Sequence, residues 1–287
     1  MEYLMTYGWA ILIIAVVLGA LFQLGVFNAN NFAPKAPPGA CYVVRIGGTV
    51  SLEGECQGEL PEFVANFNGA NSQVSITRYP TISQSAFTIT GWVLLTQFNS
   101  SNGLQGWWAN STWHSTVGLQ SYPNAYPGAS SGGFTLFFHN ATSGAGPGTG
   151  SFTASFRKWY FVAETGNGIT MNMYVNGASA GTANYFGPFG NMNHIVIGAY
   201  YAGASGAGNV MNGSEANIQV YNTTLSQAEI NASYAEGIGG APVKPQNLVG
   251  WWPLNGNAND YSGNNDDGTA TDITYSGSWA SQYSGPQ

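Results

Sequence analysis

The sequence predicts a mainly β protein: a long N-terminal hydrophobic α-helix, a short linker, and one large β-sandwich. Three observations carry this reading. The opening MEYLMTYGWAILIIAVVLGALFQLGVF holds a single charge, Glu2. From Asn28 onward the composition turns abruptly to Asn, Pro, Gly, Ser, Thr and aromatics. The chain's 40 glycines, with its many Thr, Tyr, Phe and Trp, fit short strands joined by tight turns.

Residues 1–27 are expected to form the helix. At about 1.5 Å per residue, Tyr3–Phe27 would reach about 37 Å, enough for a hydrocarbon core of about 30 Å. Only Thr6 and Gln23 interrupt the run, so no face is reserved for water. No Lys or Arg precedes Lys35, which is unlike the basic leader of a removed signal peptide. The expectation is a retained helix, membrane-embedded first and a building element afterwards.

Residues 28–59 form the linker. NANNFAPKAPPG cannot continue a helix because its prolines lack the N–H and clash with the preceding turn. Cys41 and Cys56 follow as the chain's two cysteines, without a CxxC spacing. A disulfide closing a small hairpin is favoured over two reduced buried thiols. It would contribute about 3 kcal/mol by loop closure and imply an oxidising, external compartment.

Residues 60–287 are assigned to the sandwich. Strands are read at 63–67, 72–76, 87–95, 133–139, 150–156, 158–165, 168–177, 194–200 and 217–222. Alternation in FTITGWV and MNMYV predicts one buried and one exposed face. One helix is predicted in LSQAEINASYAEG, with Ser226 and Glu229 as a capping box and Gly237 as its stop.

FNGANSQVSI, FTITGWV, KWYFVAET, MYVNG and ANIQVYNTTLSQAEI, in that order, resemble the concanavalin A-like, laminin-G-like (LamG) jelly roll over residues 60–238. LVGWWPLNGNANDYSGNNDDGT (248–269) is similar to that family's first strand and its following turn, yet here it comes last. The resemblance implies a circularly permuted sandwich whose first strand is supplied by 248–269. Donation of that strand to a neighbour, or a truncated second repeat, are the alternatives.

The opening MEYLMTYGWAILIIAVV resembles the assembly helix of archaeal type IV pilins and archaellins. That resemblance implies a homopolymer built through Glu2, Tyr3, Leu4, Tyr7, Trp9, Ile11 and Ile14. Glu2 would stand for the family's assembly carboxylate.

A net charge of −7 with six basic residues argues against nucleic acid, which needs a Lys/Arg footprint. Six N-x-[ST] sequons, at Asn99, Asn110, Asn140, Asn212, Asn222 and Asn231, predict N-linked glycans on a surface otherwise poor in charge. Catalysis is not expected. Glu53, Glu55, Glu59 and Glu62 read as a solvated acidic turn, and His114, His139 and His194 are scattered. No cofactor is required. Asn257, Asn259, Asp260 and Asp266 are candidate ligands for a structural Ca2+, with tight-turn chemistry the favoured account. Trp107, Trp108 and Trp113 are candidate sugar-stacking residues; packing is the competing use.

The sequence therefore points to a subunit of an extracellular type IV pilus-like filament, displaying a glycosylated sandwich for adhesion to surface glycans. An archaellin of a motility filament and a membrane-anchored monomeric lectin are the alternatives.

Overall fold

The structure, a computed structural model, describes residues 2–23, 34–77, 86–97, 105–110, 118–123, 133–138, 152–184, 195–199, 201–203, 206–208 and 210–286. The chain divides into two compact units, Met1–Pro34 and Lys35–Gln287.

The first unit contains α1 (Glu2–Gln23), a helix of 22 residues. From Tyr7 to Phe22 its large apolar side chains are exposed, including Trp9, Ile11, Ile14 and Val17, except for the half-buried Leu21. Here the expected fold class and localisation need correction. Among the described residues no helix is long and apolar enough to cross a membrane. The described helix is Glu2–Gln23, which lies within the expected 1–27. A long membrane-spanning helix and a membrane-embedded stage are therefore not supported.

The second unit is a two-sheet sandwich. Its entry segment holds β1 (Lys35–Ala36), β2 (Cys41–Ile46), β3 (Thr49–Gly54) and β4 (Leu60–Pro61). The early sandwich strands are β5 (Val64–Asn68), β6 (Gln73–Ile76), β7 (Phe87–Leu95), β8 (Gln105–Asn110), β9 (Gly118–Pro123) and β10 (Gly133–Phe138). Next come β11 (Phe152–Ser155), β12 (Trp159–Gly166), β13 (Thr170–Val175), β14 (Ala178–Asn184) and β15 (Ile195–Ile197). A small hairpin, β16 (Tyr201–Gly203) and β17 (Gly206–Gly208), precedes the long β18 (Asn212–Tyr221). Helix α2 (Gln227–Ala235) leads to β19 (Leu248–Trp252), β20 (Thr269–Thr271) and β21 (Thr274–Ser276).

One sheet runs β11-β10-β9-β8-β15-β6-β20. The other runs β14-β13-β12-β7-β18-β5-β21, with β19 also pairing β18. Every pairing described in these two sheets is antiparallel. Along β18, residues Asn212–Glu215 pair with β5 and residues Ile218–Tyr221 pair with β19. The handover is a bulge at Ala216/Gln219, where Asn217 adopts φ +54° and its N–H donates to the Pro253 carbonyl.

Two layers of apolar side chains result. Between the sheets lie Phe67, Val74, Ile76, Ile89, Val93, Val162, Met173, Ile197, Ile218 and Trp252. On the outer face of the second sheet lie Trp92, Phe161, Ala216, Ile230, Trp251, Trp279 and Tyr283. Strand β7 is therefore buried at all nine positions, not on one face as its alternation predicts. Strand β13 does alternate, half-buried and buried in turn.

The outer layer is covered by the β2–β3 hairpin, α2 and the C-terminal segment. Cys41 and Cys56 form a disulfide. From β2, the Arg45 guanidinium donates to the carbonyls of Ser262 (2.9 Å), Pro245 (3.2 Å) and Leu248 (2.7 Å), tying the hairpin to the C-terminal segment. Helix α2 opens on the Ser226/Glu229 capping box and is followed by Gly237 at φ +83°. Lys244 pairs with Glu229 at 2.7 Å, and that hydrogen bond is the main reason the Glu229 carboxyl is lowered to about 2.

Candidate functional site

Near one end of β18 three strands bring a row of residues into register. Ser214 lies opposite Leu94 of β7 and opposite Asn66 of β5, which in turn faces Thr274 of β21. The strands come close here, because a Cβ on Gly213 would stand 2.0 Å from the Leu94 carbonyl oxygen. Ser214 and Leu94 share the face that carries Ala216 and Trp92, outside the inter-sheet core.

Above this row is a groove of about 210 Å³. Val64 and Leu94 supply its apolar part. Asn66, Thr96, Ser214, Ser276, Ser278 and Gln282 supply hydroxyls and amides, and Trp279 closes one side. The Ser214 hydroxyl donates to Asn66 Oδ1 at 2.6 Å, which fixes the orientation of both groups. Trp279 is held from outside the groove: Lys35 Nζ stands 4.0 Å from the centre of its ring, and Tyr283 meets it edge-on at 5.7 Å. Burial lowers the Lys35 ammonium from its ordinary range. Among the described residues no ionisable side chain lines the groove.

A larger groove of about 630 Å³ lies beside the disulfide, between Leu52–Glu59 and Glu236–Val243. Its ionisable groups are the carboxylates of Glu55, Glu59 and Glu236, set against Leu52, Pro242 and Val243. It offers few neutral hydrogen-bonding side chains. For a neutral polar ligand the smaller groove is better equipped, because its hydroxyls and amides donate and accept without a charge to compensate.

The two fully buried glutamates, Glu164 and Glu215, do not form a catalytic pair. Glu164 lies opposite Ile89 and Glu215 opposite Val93, on either side of β7. Four residues of strand and two strand spacings place their backbones about 17 Å apart. Glycoside hydrolysis needs its two carboxyl groups about 5–9.5 Å apart.

The Asn/Asp-rich turn is bound up in its own hydrogen bonds. Asp260 Oδ1 accepts from the N–H groups of Trp251 and Ser262, both at 2.9 Å. Its Oδ2 accepts from Ser262 Oγ at 2.8 Å and from the Asp266 N–H at 3.1 Å. Asn257 Oδ1 accepts from the Asn259 N–H at 2.9 Å, an Asx turn. Among the described residues no group of three or more His, Cys, Asp or Glu side chains is placed to hold a metal ion.

The remaining sequence-derived candidates are dispersed. Trp107, Trp108 and Asn110 lie on β8, where the backbone alone is described. Trp113, Asn99, Asn140, His114, His139 and His194 lie outside the described residues. Glu2, Tyr3 and Leu4 belong to α1, again as backbone, while Tyr7, Trp9, Ile11 and Ile14 are exposed on it. Sequence reasoning missed the groove altogether. Asn66, Thr96, Ser214, Ser276 and Gln282 are scattered over the chain, and only strand register assembles them.

This arrangement is that of a lectin-type jelly roll with a polar groove on the outside of one sheet. Residues 68–231, more than half of the chain, match the concanavalin A-like lectin/glucanases superfamily. The chain belongs to that family. No curated protein matches it in sequence. Among solved structures it is similar to a native heptameric SAP-like pentraxin from Limulus polyphemus. That match has 15% identity and TM-score 0.55, covering 75% of this chain and 94% of the pentraxin. It is also similar to a Bacteroides ovatus protein described as carbohydrate binding. Here identity is 16% and TM-score 0.56, with 82% of this chain and 65% of the other covered. Both likenesses establish the fold.

Proposed function

We propose that the protein is a non-catalytic glycan-binding module whose ligand is a neutral saccharide held in the Asn66–Ser214–Trp279 groove. The observation that carries this is the groove's lining: uncharged hydroxyl and amide groups beside a tryptophan, in a volume of about 210 Å³. Sugar hydroxyls both donate and accept, and such side chains answer them in kind. The family and the carbohydrate-binding protein that shares the fold support the same reading. The Cys41–Cys56 disulfide favours an oxidising, extracellular setting for it.

The test is a glycan array followed by calorimetry on the best neutral oligosaccharide. Ser278 and Gln282 are exposed, so S278A and Q282A leave the fold intact. Each hydrogen bond is worth about 1 kcal/mol, so each variant weakens binding about fivefold. Unchanged affinity in the double variant, or an empty array, would sink the reading.

A second reading concerns α1, and the exposure of its large apolar side chains favours it: Trp9 is 68% and Phe22 75% exposed. Burying such a surface drives association. In this reading copies of the chain polymerise through α1 into a filament that displays the sandwich. Negative-stain electron microscopy of the full chain is expected to show fibres that I11D/I14D abolishes. A full chain that stays monomeric without detergent removes this reading.

A further inference from the structure

We propose that Asn222 and Asn231 carry N-linked glycans and that Asn212, a sequon of the same region, does not. The sequence offers all three as equals, since each is followed by Ser or Thr two residues on. The folded chain does not.

An N-glycan replaces one hydrogen of the asparagine Nδ2, so in the folded protein that nitrogen must face open solvent. Asn222 is exposed just beyond β18. Its Oδ1 accepts from Asn247 Nδ2 at 3.1 Å, and its backbone N–H donates to the Asn247 carbonyl at 3.0 Å. Holding the oxygen toward Asn247 turns Nδ2 away from it. Asn231 is exposed on α2, and its Oδ1, not its Nδ2, is the atom that faces its neighbours: it accepts from Gln227 Nε2 at 2.8 Å and stands 3.0 Å from where a Cβ on Gly177 would be.

Asn212 is placed differently. It is half-buried and its strand is paired on both sides, with Asn68 opposite it on β5 and β7 on the other flank. Its Cβ and Nδ2 both stand 2.9 Å from where a Cβ on Gly69 would be, so the amide packs onto the Gly69 backbone. Gly69 itself has φ +74° and donates its N–H to the Met211 carbonyl at 2.8 Å, which holds that backbone in place. A sugar on Asn212 Nδ2 would have to open this contact.

The modifying step needs a lipid-linked glycosyl diphosphate as donor. Asn Nδ2 attacks the anomeric carbon and the N–C bond forms. The bond from that carbon to the phosphate oxygen breaks, and the lipid diphosphate leaves with the electron pair. The nitrogen gives up one proton to a base of the transferase. With only 7% charged residues, the surface gains a solubilising layer. Asn222 lies one residue past Tyr221, which faces Thr88, whereas the polar groove lies where Ser214 faces Leu94. That puts the glycan about 20 Å along the sheet from the groove, clear of its mouth.

The experiment expresses the full chain in a eukaryotic secretory host and maps glycopeptides by mass spectrometry, with enzymatic release in heavy-oxygen water marking each occupied asparagine. Glycan is expected on Asn222 and Asn231. N222Q and N231Q are each expected to remove one glycan's mass, and N212Q none. Either Asn222 or Asn231 found unmodified, or Asn212 found modified, overturns the proposal.

Discussion

Glu215 has no exposed surface and sits between the sheets, on β18 opposite Val93. Burial pushes its carboxyl well above the ordinary range, and the Gly198 backbone amide offsets this only in part. The sign follows from linkage. Below the unfolded pKa both states hold the proton and the group costs nothing. As pH rises past about 4.5 the unfolded chain ionises while the folded chain keeps its proton, so stability falls until the folded pKa is reached. The slope is at most about 1.4 kcal/mol per pH unit. Urea denaturation of the wild type and of Glu215→Gln at pH 5, 6, 7 and 8 checks this. Wild-type stability is expected to fall relative to the variant across that series, and parallel curves would show that Glu215 ionises inside the fold. Glu229 acts in the opposite sense, because its lowered carboxyl adds stability that is lost as pH falls from about 4.5 toward 2.

At the scale of elements, legibility depends on how local the cause is. Helix α2 is readable because Ser226, Glu229 and Gly237 act within a few residues of one another, and each takes its expected place. Strand β7 is readable in extent, Phe87–Leu95, but not in burial. Its second face is covered by α2 and the C-terminal segment, which arrive from more than a hundred residues away: Trp92 meets Tyr234 at 5.8 Å and Tyr283 at 5.2 Å. Strand β18 begins at Asn212, five residues before NIQVYN, because Gly213, Ser214 and Glu215 carry no strand signal of their own. They are extended because β5 and β7 flank them. The β2–β3 hairpin is legible through Cys41 and Cys56, whose disulfide closes it, whereas the groove is hidden by its assembly from three strands and the C-terminal tail. At α1 the apolar run is plain in sequence, while the membrane-crossing role drawn from it is not supported.

On the scale of the whole molecule, the last forty residues connect both sheets to the entry hairpin. Strand β19 pairs β18 and β21 pairs β5 in one sheet, and β20 pairs β6 in the other. Between these strands Trp252 Nε1 donates to the Asp266 carbonyl at 3.0 Å, and Trp251 Nε1 to Asn217 Oδ1 at 2.7 Å. Val249, Trp251, Trp252, Leu254, Trp279 and Tyr283 are all buried. Each such side chain is worth about 1.5–3 kcal/mol, so together they approach or exceed the about 5–15 kcal/mol that holds a domain folded. Their loss would also bare the second half of β18 as an unpaired edge. A chain ending at Asn247 is therefore expected to be insoluble or to lack a cooperative thermal transition by circular dichroism. Co-expression of residues 248–287 as a separate fragment is expected to restore both solubility and the transition, since its partners are strand edges rather than a covalent continuation. A soluble 1–247 chain that unfolds cooperatively near the wild-type temperature would show that the sandwich closes without its C-terminal strands.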